Sequence, residues 1–224
     1  MKLSKVAMKR LVLLLLAIAC LVPAMPAAAQ PERPSRTEAL AALKKSDADE
    51  RRRGALGLAI VGRMEDGPAL IAALRDADER VRTVAERALW AVWSRSGDVR
   101  VDDLFGKGVA QMGEQRFPEA IATFTRVIEL KPGFAEGWNK RATAYFLAGE
   151  YRRSLKDCDE VIKRNPQHSG VLSGFGQIYL QLDQPEKALE YFRRALAVNP
   201  NLEGVLGLAE RLDSMIARRR ERSI

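Results

Sequence analysis

Cys158 and His168 are the side chains of this chain whose chemistry could support catalysis, because a thiolate activated by an imidazole is a strong nucleophile. His168 is the only histidine among the 224 residues. The two residues lie ten positions apart, at opposite ends of one predicted element, whereas a catalytic pair must come within hydrogen-bond reach. The sequence also contains no metal-ligand cluster, no glycine-rich phosphate loop and no nucleophile elbow. These observations predict a protein that is not an enzyme and that uses no cofactor.

The elements that position these residues follow the spacing of three prolines. Pro132, Pro166 and Pro200 recur at an interval of 34 residues, and each ends a helix because proline lacks the backbone N–H and clashes with the preceding turn. Self-similarity at a fixed period is typical of stacked repeats. Apolar residues recur at helical spacing, and no alternating strand pattern occurs. We therefore expect an all-α, helical-repeat solenoid.

Three units can be aligned on these prolines within the stretch 101–203. The third unit carries Leu172, Phe175, Gly176, Tyr179, Ala188, Phe192, Ala195 and Pro200. The second carries Trp138, Arg141, Ala142, Tyr145, Ser154, Cys158, Val161 and Pro166, and the first carries Leu104, Lys107, Gly108, Gln111, Ala120, Phe124, Val127 and Pro132. The stretch therefore resembles the tetratricopeptide repeat (TPR) family, whose helix–turn–helix unit is about 34 residues long with small, aromatic and proline residues at set positions. In this register Cys158 takes a core position, and Gly108, Ala142 and Gly176 lie where the two helices of a unit cross.

This resemblance implies three units within residues 98–203, followed by a capping helix and basic tail. The units are expected at 101–134, 135–168 and 169–202, and the cap and tail at 203–224. It also implies a concave face, lined by the first helix of each unit, that holds an extended peptide or a helix. The positions transferred to this groove are Phe105, Val109, Met112, Asn139, Thr143, Phe146, Leu147, Ser173, Gln177, Leu180 and Gln181.

The groove lining is apolar or uncharged, and it departs from the two-carboxylate clamp that TPR co-chaperones use for acidic tails. In the first unit Phe105 and Val109 stand in place of the clamp's Lys and Asn. In the second unit Lys140 replaces its Asn, and in the third Gly170 and Gly174 replace its Lys and Arg. An apolar groove favours a ligand with hydrophobic anchors, such as an amphipathic helix or an extended strand.

Residues 37–97 contain a second, looser repeat. The run Asp49–Arg53 is echoed by Asp78–Arg82, 29 residues later, and Asp49 and Asp78 are the predicted N-caps. The second copy resembles the short HEAT-like repeats of bacterial proteins. The resemblance implies two helix pairs, in which Asp78 and Arg82 serve the scaffold.

The two helix pairs are expected at about 37–45 with 49–62 and at about 67–75 with 79–95. Trp90 and Trp93 lie on one face of the last helix, because residues three apart are neighbours on a helix surface. We expect both rings to pack in the core or between the two blocks. The alternative is that they stack on a ligand.

Residues 1–29 have the three-part layout of a secretory signal peptide: a basic start, an apolar run from Leu11 to Val22 and a small-residue end. Cleavage is expected after Ala29. Removing the four basic residues of this segment leaves 33 basic and 29 acidic residues, a net charge of +4. Residues 30–36 are then a flexible lead. The alternatives are an uncleaved anchor and lipidation at Cys20.

These patterns predict a non-enzymatic protein- or peptide-binding scaffold in the bacterial cell envelope, most readily the periplasm, with its ligand in the concave TPR groove. The alternative is a lipid-anchored envelope-assembly or chaperone-like factor. A nucleic-acid partner is not expected, since a concentrated basic face is missing. Membrane contact would come only through Cys20 lipidation or the basic tail. The chain could also fill its own groove, with residues 30–36 or a HEAT-like helix.

Overall fold

The computed structural model describes residues 34–221, and every regular element within them is helical. The predicted signal peptide, residues 1–29, and the first part of the predicted lead lie outside the described residues. Eleven α-helices follow one another in the described range, which confirms the predicted all-α helical-repeat solenoid. The helices form two blocks, an N-terminal block (residues 36–93) and a repeat block (residues 99–221).

Four helices, with a short 3-10 turn between the second and third, make up the N-terminal block. They are α1 (Arg36–Ala42), α2 (Ala48–Val61), α3 (Gly67–Ala73) and α4 (Glu79–Trp93). Their bounds lie within a few residues of the predicted helix pairs, and their apolar faces meet in a core around Leu58, Leu70 and Leu89. Ser35, predicted to be part of the lead, instead caps α1 by accepting a hydrogen bond from the backbone N–H of Glu38.

The N-caps of the two long helices in this block differ from the predicted pair. Asp78 caps α4 as expected, whereas α2 is capped by Asp47, which accepts from the backbone N–H of Glu50 at 2.8 Å. Asp49 lies inside the first turn and pairs with Arg52. The two N-cap residues, Asp47 and Asp78, are therefore 31 residues apart and not 29. Helix α2 begins after Asp47 because the carboxylate of this residue accepts from a free N–H group of the first turn.

Bidentate ion pairs tie the helices of the N-terminal block together. Arg51 on α2 donates to both carboxylate oxygens of Asp76, at 2.7 and 2.8 Å. Arg36 on α1 donates to both oxygens of Asp66, at 2.9 and 2.7 Å, and this hydrogen bonding lowers the pKa of Asp66. Arg82 donates to the carbonyl oxygen of Asp76 at 2.9 Å, so its guanidinium serves the scaffold.

Seven helices make up the repeat block. They are α5 (Val99–Gly113), α6 (Phe117–Leu130), α7 (Ala135–Leu147), α8 (Tyr151–Arg164), α9 (Ser169–Gln181), α10 (Pro185–Val198) and α11 (Glu203–Glu221). The first six pair as three helix–turn–helix units, and α7 and α9 begin at the first residues of the predicted second and third units. The last helix, α11, buries Val205, Leu212 and Ile216 against α10, as a terminal cap must.

Small residues allow the two helices of a unit to cross closely. A Cβ added to Gly108 would lie 2.6 Å from the ring of Phe124. In the third unit, a Cβ added to Gly176 would likewise lie closer to the ring of Phe192 than two carbon atoms can pack. Both rings are fully buried, so the space beside each glycine is already filled. This confirms the predicted role of these glycines.

The turn inside each unit holds one residue in the left-handed backbone region. Gln115, Gly149 and Asp183 have φ values of 59°, 77° and 54°, and they recur at the 34-residue interval. Only glycine adopts this conformation without a steric penalty from its own Cβ. The turns of the first and third units are therefore strained relative to the turn of the second.

Candidate functional site

A cavity of about 160 Å³ opens between α7 and α9, with α8 beneath it. Its lining comes from all three helices: Asn139, Ala142, Thr143 and Phe146 from α7, Ser154 and Cys158 from α8, and Gly170, Val171, Gly174, Gln177 and Ile178 from α9. Four predicted groove residues, Asn139, Thr143, Phe146 and Gln177, are brought together here. No heavy atom lies within 4 Å of a Cβ built on Gly174, so the space next to α9 is open.

The other predicted groove residues do not line this cavity. Val109, Leu147 and Gln181 are exposed, Met112 and Leu180 are half-buried against hydrophobic clusters, and Ser173 is buried. Gln181 accepts a hydrogen bond from the hydroxyl of Tyr151 at 3.3 Å. The structure therefore gathers the predicted residues of the second and third units more closely than those of the first.

Phe105 lies in the core of the first unit and not in the groove where the prediction places it. It is only 8% exposed, and its ring centroid lies 5.8 Å from that of Phe124 and 5.3 Å from that of Phe134, both edge-to-face. Burying one aromatic ring against two others is favourable in area and in geometry. The clamp of TPR co-chaperones has a lysine at this position, and a lysine keeps its charged end in water. A phenylalanine at the same position packs into the core instead, so the groove position of the clamp does not carry over to Phe105.

Cys158 forms part of the cavity floor. The residue is only 3% exposed, and burial raises the pKa of its thiol to about 12. The sulfur is therefore protonated at neutral pH and behaves as a small apolar group. This confirms the predicted core position of Cys158.

His168 and Glu136 form a buried polar pair beside the cavity. Nε2 of His168 lies 2.5 Å from Oε1 of Glu136, and neither side chain is exposed. Because Nδ1 of His168 accepts from the backbone N–H of Val171, Nε2 carries the proton and donates to the carboxylate. Asn139 also donates to Glu136, at 3.0 and 2.9 Å, and Nζ of Lys140 lies 4.0 Å away. Burial raises the pKa of Glu136, but these hydrogen bonds and nearby charge outweigh it and lower the pKa below its ordinary value.

Trp90 and Trp93 of α4 join the N-terminal block to the repeat block at His168. The ring of Trp93 stacks on the imidazole at 4.4 Å between centroids, and Trp90 meets the same imidazole edge-on at 5.4 Å. The predicted packing of both tryptophans between the blocks is therefore confirmed. Trp90 also reaches the rim of the cavity, where a Cβ on Gly170 would lie 2.7 Å from its ring. Helix α4 contributes nothing to the lining itself, so the cavity stays open.

Sequence reasoning missed the pair of His168 and Glu136. His168 reads as a turn residue, and Glu136 reads as one charge among many on a helical repeat. The 34-residue period does not mark the pair, because the first unit carries Asp102 at the position of Glu136 and the third carries Gly170. A carboxylate at this position is therefore not specific to the second unit.

Two further features of the described residues bear on function. None of the helices within residues 34–221 is both long and apolar enough to cross a membrane. Within the same range, no group of three or more His, Cys, Asp and Glu side chains is arranged to hold a metal ion.

Two stretches of the repeat block match models of the tetratricopeptide repeat, at residues 105–169 and 176–202. A TPR repeat-containing protein of Rhizobium etli is 35% identical over 108 residues, which are 48% of this chain and 53% of that protein. The Hsp70-Hsp90 organizing protein 1 of Glycine max is 28% identical over 116 residues, 50% of this chain and 20% of that protein. The chain thus spans about half of the first relative and about a fifth of the second.

Solved TPR domains share the fold of the repeat block. The first TPR of Spaghetti (RPAP3), bound to the HSP90 peptide SRMEEVD, aligns with a TM-score of 0.50 at 22% identity, covering 52% of this chain and 93% of that domain. The Sgt2 TPR domain from Aspergillus fumigatus aligns with a TM-score of 0.52 at 19% identity, covering 55% and 83%. At these identities the likeness establishes the helical architecture alone.

Proposed function

We propose that this chain, which carries tetratricopeptide repeats in residues 105–169 and 176–202, is a non-enzymatic scaffold that binds a protein or peptide in the groove of its repeat block. The cavity between α7 and α9 carries the proposal. It is concave, and its lining combines apolar side chains with four polar ones, Asn139, Thr143, Ser154 and Gln177, a mixture that can bind and orient a ligand. A ligand side chain can enter it while the ligand backbone lies along the first helices of the units.

The lining argues for a ligand with apolar anchors and against an acidic tail. No Lys or Arg lines the cavity. On α9, Gly170 and Gly174 stand at the two positions where the carboxylate clamp of TPR co-chaperones has Lys and Arg. Lys140, the neighbouring cation, is held with Nζ 5.6 Å from the ring centroid of Trp90 and 4.0 Å from Glu136. The HSP90 peptide of the RPAP3 complex is acidic at its end, so we propose a ligand of different chemistry for this chain.

The groove function is also favoured over catalysis at Cys158. Its thiol is buried, and the pKa of about 12 keeps it protonated, whereas a nucleophile must be a thiolate. The imidazole of His168 is occupied by Glu136 and by the N–H of Val171. The two residues therefore have separate partners.

We propose the bacterial cell envelope as the place of action, with the periplasm as the compartment. The support is the sequence pattern of residues 1–29. Lipidation at Cys20, which would make the chain a membrane-anchored assembly factor, is the competing proposal. Mass spectrometry of the mature N-terminus separates the two: a chain that begins at Gln30 supports the soluble scaffold, and an acylated Cys20 supports the anchored one.

A side chain that fills the cavity tests whether partners bind in this groove. Gly174 and Gly106 occupy the same position in the third and first units, and no heavy atom lies within 4 Å of a Cβ on either. Gly174→Leu extends a side chain into the cavity, whereas Gly106→Leu, the matched control, lies outside its lining. Both changes raise helix propensity, by up to about 1 kcal/mol, so neither is expected to unfold the protein.

Quantitative affinity capture from an envelope extract reads out the comparison. We expect proteins that are enriched by the wild-type chain and by Gly106→Leu to be lost with Gly174→Leu. The same enriched set with all three chains would contradict binding in this groove. Circular dichroism and thermal unfolding confirm that each variant is folded.

A further inference from the structure

The cavity exists because the second unit lacks a ring that the other two units have. At the crossing of its two helices each unit places a small residue against a larger one. The pairs, in chain order, are Gly108 with Phe124, Ala142 with Cys158, and Gly176 with Phe192. Phe124 and Phe192 are fully buried and fill their crossings. In the second unit a thiol takes the place of the phenyl ring, and the lost volume opens towards the groove.

The size of this space suits one large side chain. Its volume is about 160 Å³, close to the roughly 150 Å³ of an engineered apolar cavity that takes up benzene. Phe146, Val171 and Ile178 supply apolar walls. A ligand ring could therefore occupy the volume that the missing phenyl ring leaves.

The two hydroxyl groups of the lining have already used their protons. Oγ1 of Thr143 donates to the carbonyl oxygen of Asn139 at 2.9 Å, and Oγ of Ser154 donates to the carbonyl oxygen of Ala142 at 2.7 Å. The two hydroxyls therefore turn lone pairs, not protons, towards a ligand. The amide of Asn139 directs one N–H at the carboxylate of Glu136. Gln177, on the exposed rim, can present either end of its amide.

We propose that this pocket takes one uncharged ligand side chain, an apolar ring that bears a hydrogen-bond donor, and that the indole of tryptophan is its best match among the natural side chains. Indole is apolar, aromatic and a donor only. A carboxylate would face the lone pairs of the Thr143 and Ser154 hydroxyls, and no charged side chain lines the pocket to hold an ion. The inference rests on the proposed groove function and names the ligand chemistry of the same site.

Two probes that differ in one group test the donor. N-acetyl-tryptophan amide carries the indole N–H, and N-acetyl-3-benzothienylalanine amide replaces that N–H with sulfur at nearly the same shape. We expect both to shift the amide resonances around Ala142 and Gly174 in ¹⁵N-labelled protein. The tryptophan probe should bind about threefold to tenfold more tightly, because the second probe leaves the acceptors unpaired. Equal affinities would overturn the proposal.

Two variants test the pocket. Ala142→Gly with Cys158→Phe rebuilds the crossing of the first and third units and closes the space, so we expect both probes to lose binding while the helical circular dichroism is kept. Thr143→Val keeps the shape of the side chain and removes an acceptor. The ratio of the affinities of the tryptophan probe and the benzothienylalanine probe should therefore fall towards one. Unchanged binding by the folded double variant would overturn the pocket.

These outcomes are separable from a failure of the groove itself. No binding of the tryptophan probe, or a preference retained in full by Thr143→Val, overturns the ligand chemistry. The loss of partners with Gly174→Leu would still support binding in the groove. If Gly174→Leu captures the same partners as Gly106→Leu, the proposed function falls with the inference that depends on it.

Discussion

Nε2 of His168 donates to Oε1 of Glu136 at 2.5 Å in a position without solvent exposure. Glu136 belongs to the first turn of α7, and His168 is the last residue of the second unit and the N-cap of α9, so the bond joins α7 to the start of the first helix of the third unit. The same imidazole stacks on Trp93 of the N-terminal block. One buried contact therefore links the two units to each other and to the block that packs against them.

Removing the imidazole should be costly. His168→Ala leaves a buried carboxylate without its main partner, and we expect the free energy of unfolding to fall by about 3–5 kcal/mol. Glu136→Gln keeps the shape and removes the charge, and should cost less, about 1–3 kcal/mol. Urea denaturation at pH 7 measures both. Arg193→Ala is the control, because it breaks an exposed ion pair with Asp213 and should cost less than about 1 kcal/mol. A loss for His168→Ala as small as that of the control would contradict this role.

Acid should weaken the fold through Glu136. Its pKa in the folded state lies below the ordinary value of 4.5, despite burial, because of His168, Lys140 and Asn139. A carboxyl group with a lowered pKa stabilises the fold above its unfolded pKa, and this stabilisation is lost as the pH falls through the folded pKa. We expect the stability difference between wild type and Glu136→Gln to shrink as the pH falls below about 4.5. A difference that grows in acid would contradict the direction of the shift.

The thiol of Cys158 should resist alkylation while the protein is folded. Burial raises its pKa to about 12, and only the thiolate reacts. We expect iodoacetamide at pH 8 to modify Cys158 at least about 100-fold more slowly than it modifies a free thiol. Mass spectrometry of the peptide that contains Cys158 follows the reaction. Labelling in urea is the control and should be fast, whereas fast labelling of the folded chain would contradict the core position.

The strained turns offer a gain in stability. Gln115 has a φ of 59° in the turn where the second unit places Gly149 at 77°. Replacing Gln115 with glycine removes the steric strain of a Cβ, which exceeds the entropy that glycine adds to the unfolded chain. We expect Gln115→Gly to raise the free energy of unfolding by about 0.5–1 kcal/mol, and Gly149→Ala to lower it by a similar amount. Thermal unfolding tests both, and a stabilising Gly149→Ala would contradict the assignment.

Gly174 and Gly176 should respond in opposite directions to alanine, although they lie two residues apart on α9. A Cβ on Gly176 would overlap the ring of Phe192, whereas a Cβ on Gly174 meets nothing within 4 Å. We expect Gly176→Ala to cost about 1–3 kcal/mol by overpacking. Gly174→Ala should stabilise the protein by up to about 1 kcal/mol through helix propensity. Equal effects in urea denaturation would show that the crossing is less tight than the structure indicates.

Much of the fold follows from residues that act within one unit. Pro132, Pro166 and Pro200 end helices through local sterics, so the period places α7 and α9 to the residue. The same period identifies Gly108 and Gly176 as crossing points. The cap of α2 was missed because Asp47 and Asp49 are both suitable residues two positions apart, and only the path of the backbone selects one.

The candidate site was predicted in part, for a related reason. Asn139, Thr143, Phe146 and Gln177 come together because helical spacing puts them on one face of their helices. Phe105 fits the same spacing but turns inward, since two other aromatic rings lie within its reach. Residue type and surroundings decided that placement.

The sequence is sufficient to predict an all-α chain of helical repeats and the register of its units, because these follow from local sterics and periodicity. The contacts of His168 with Glu136 and Trp93, and the pocket that Cys158 opens where Phe124 and Phe192 fill the crossing, are seen only in the folded chain. Those outcomes depend on how successive units stack and on which block packs against them. Contacts between residues that are far apart in the chain leave no periodic mark in it.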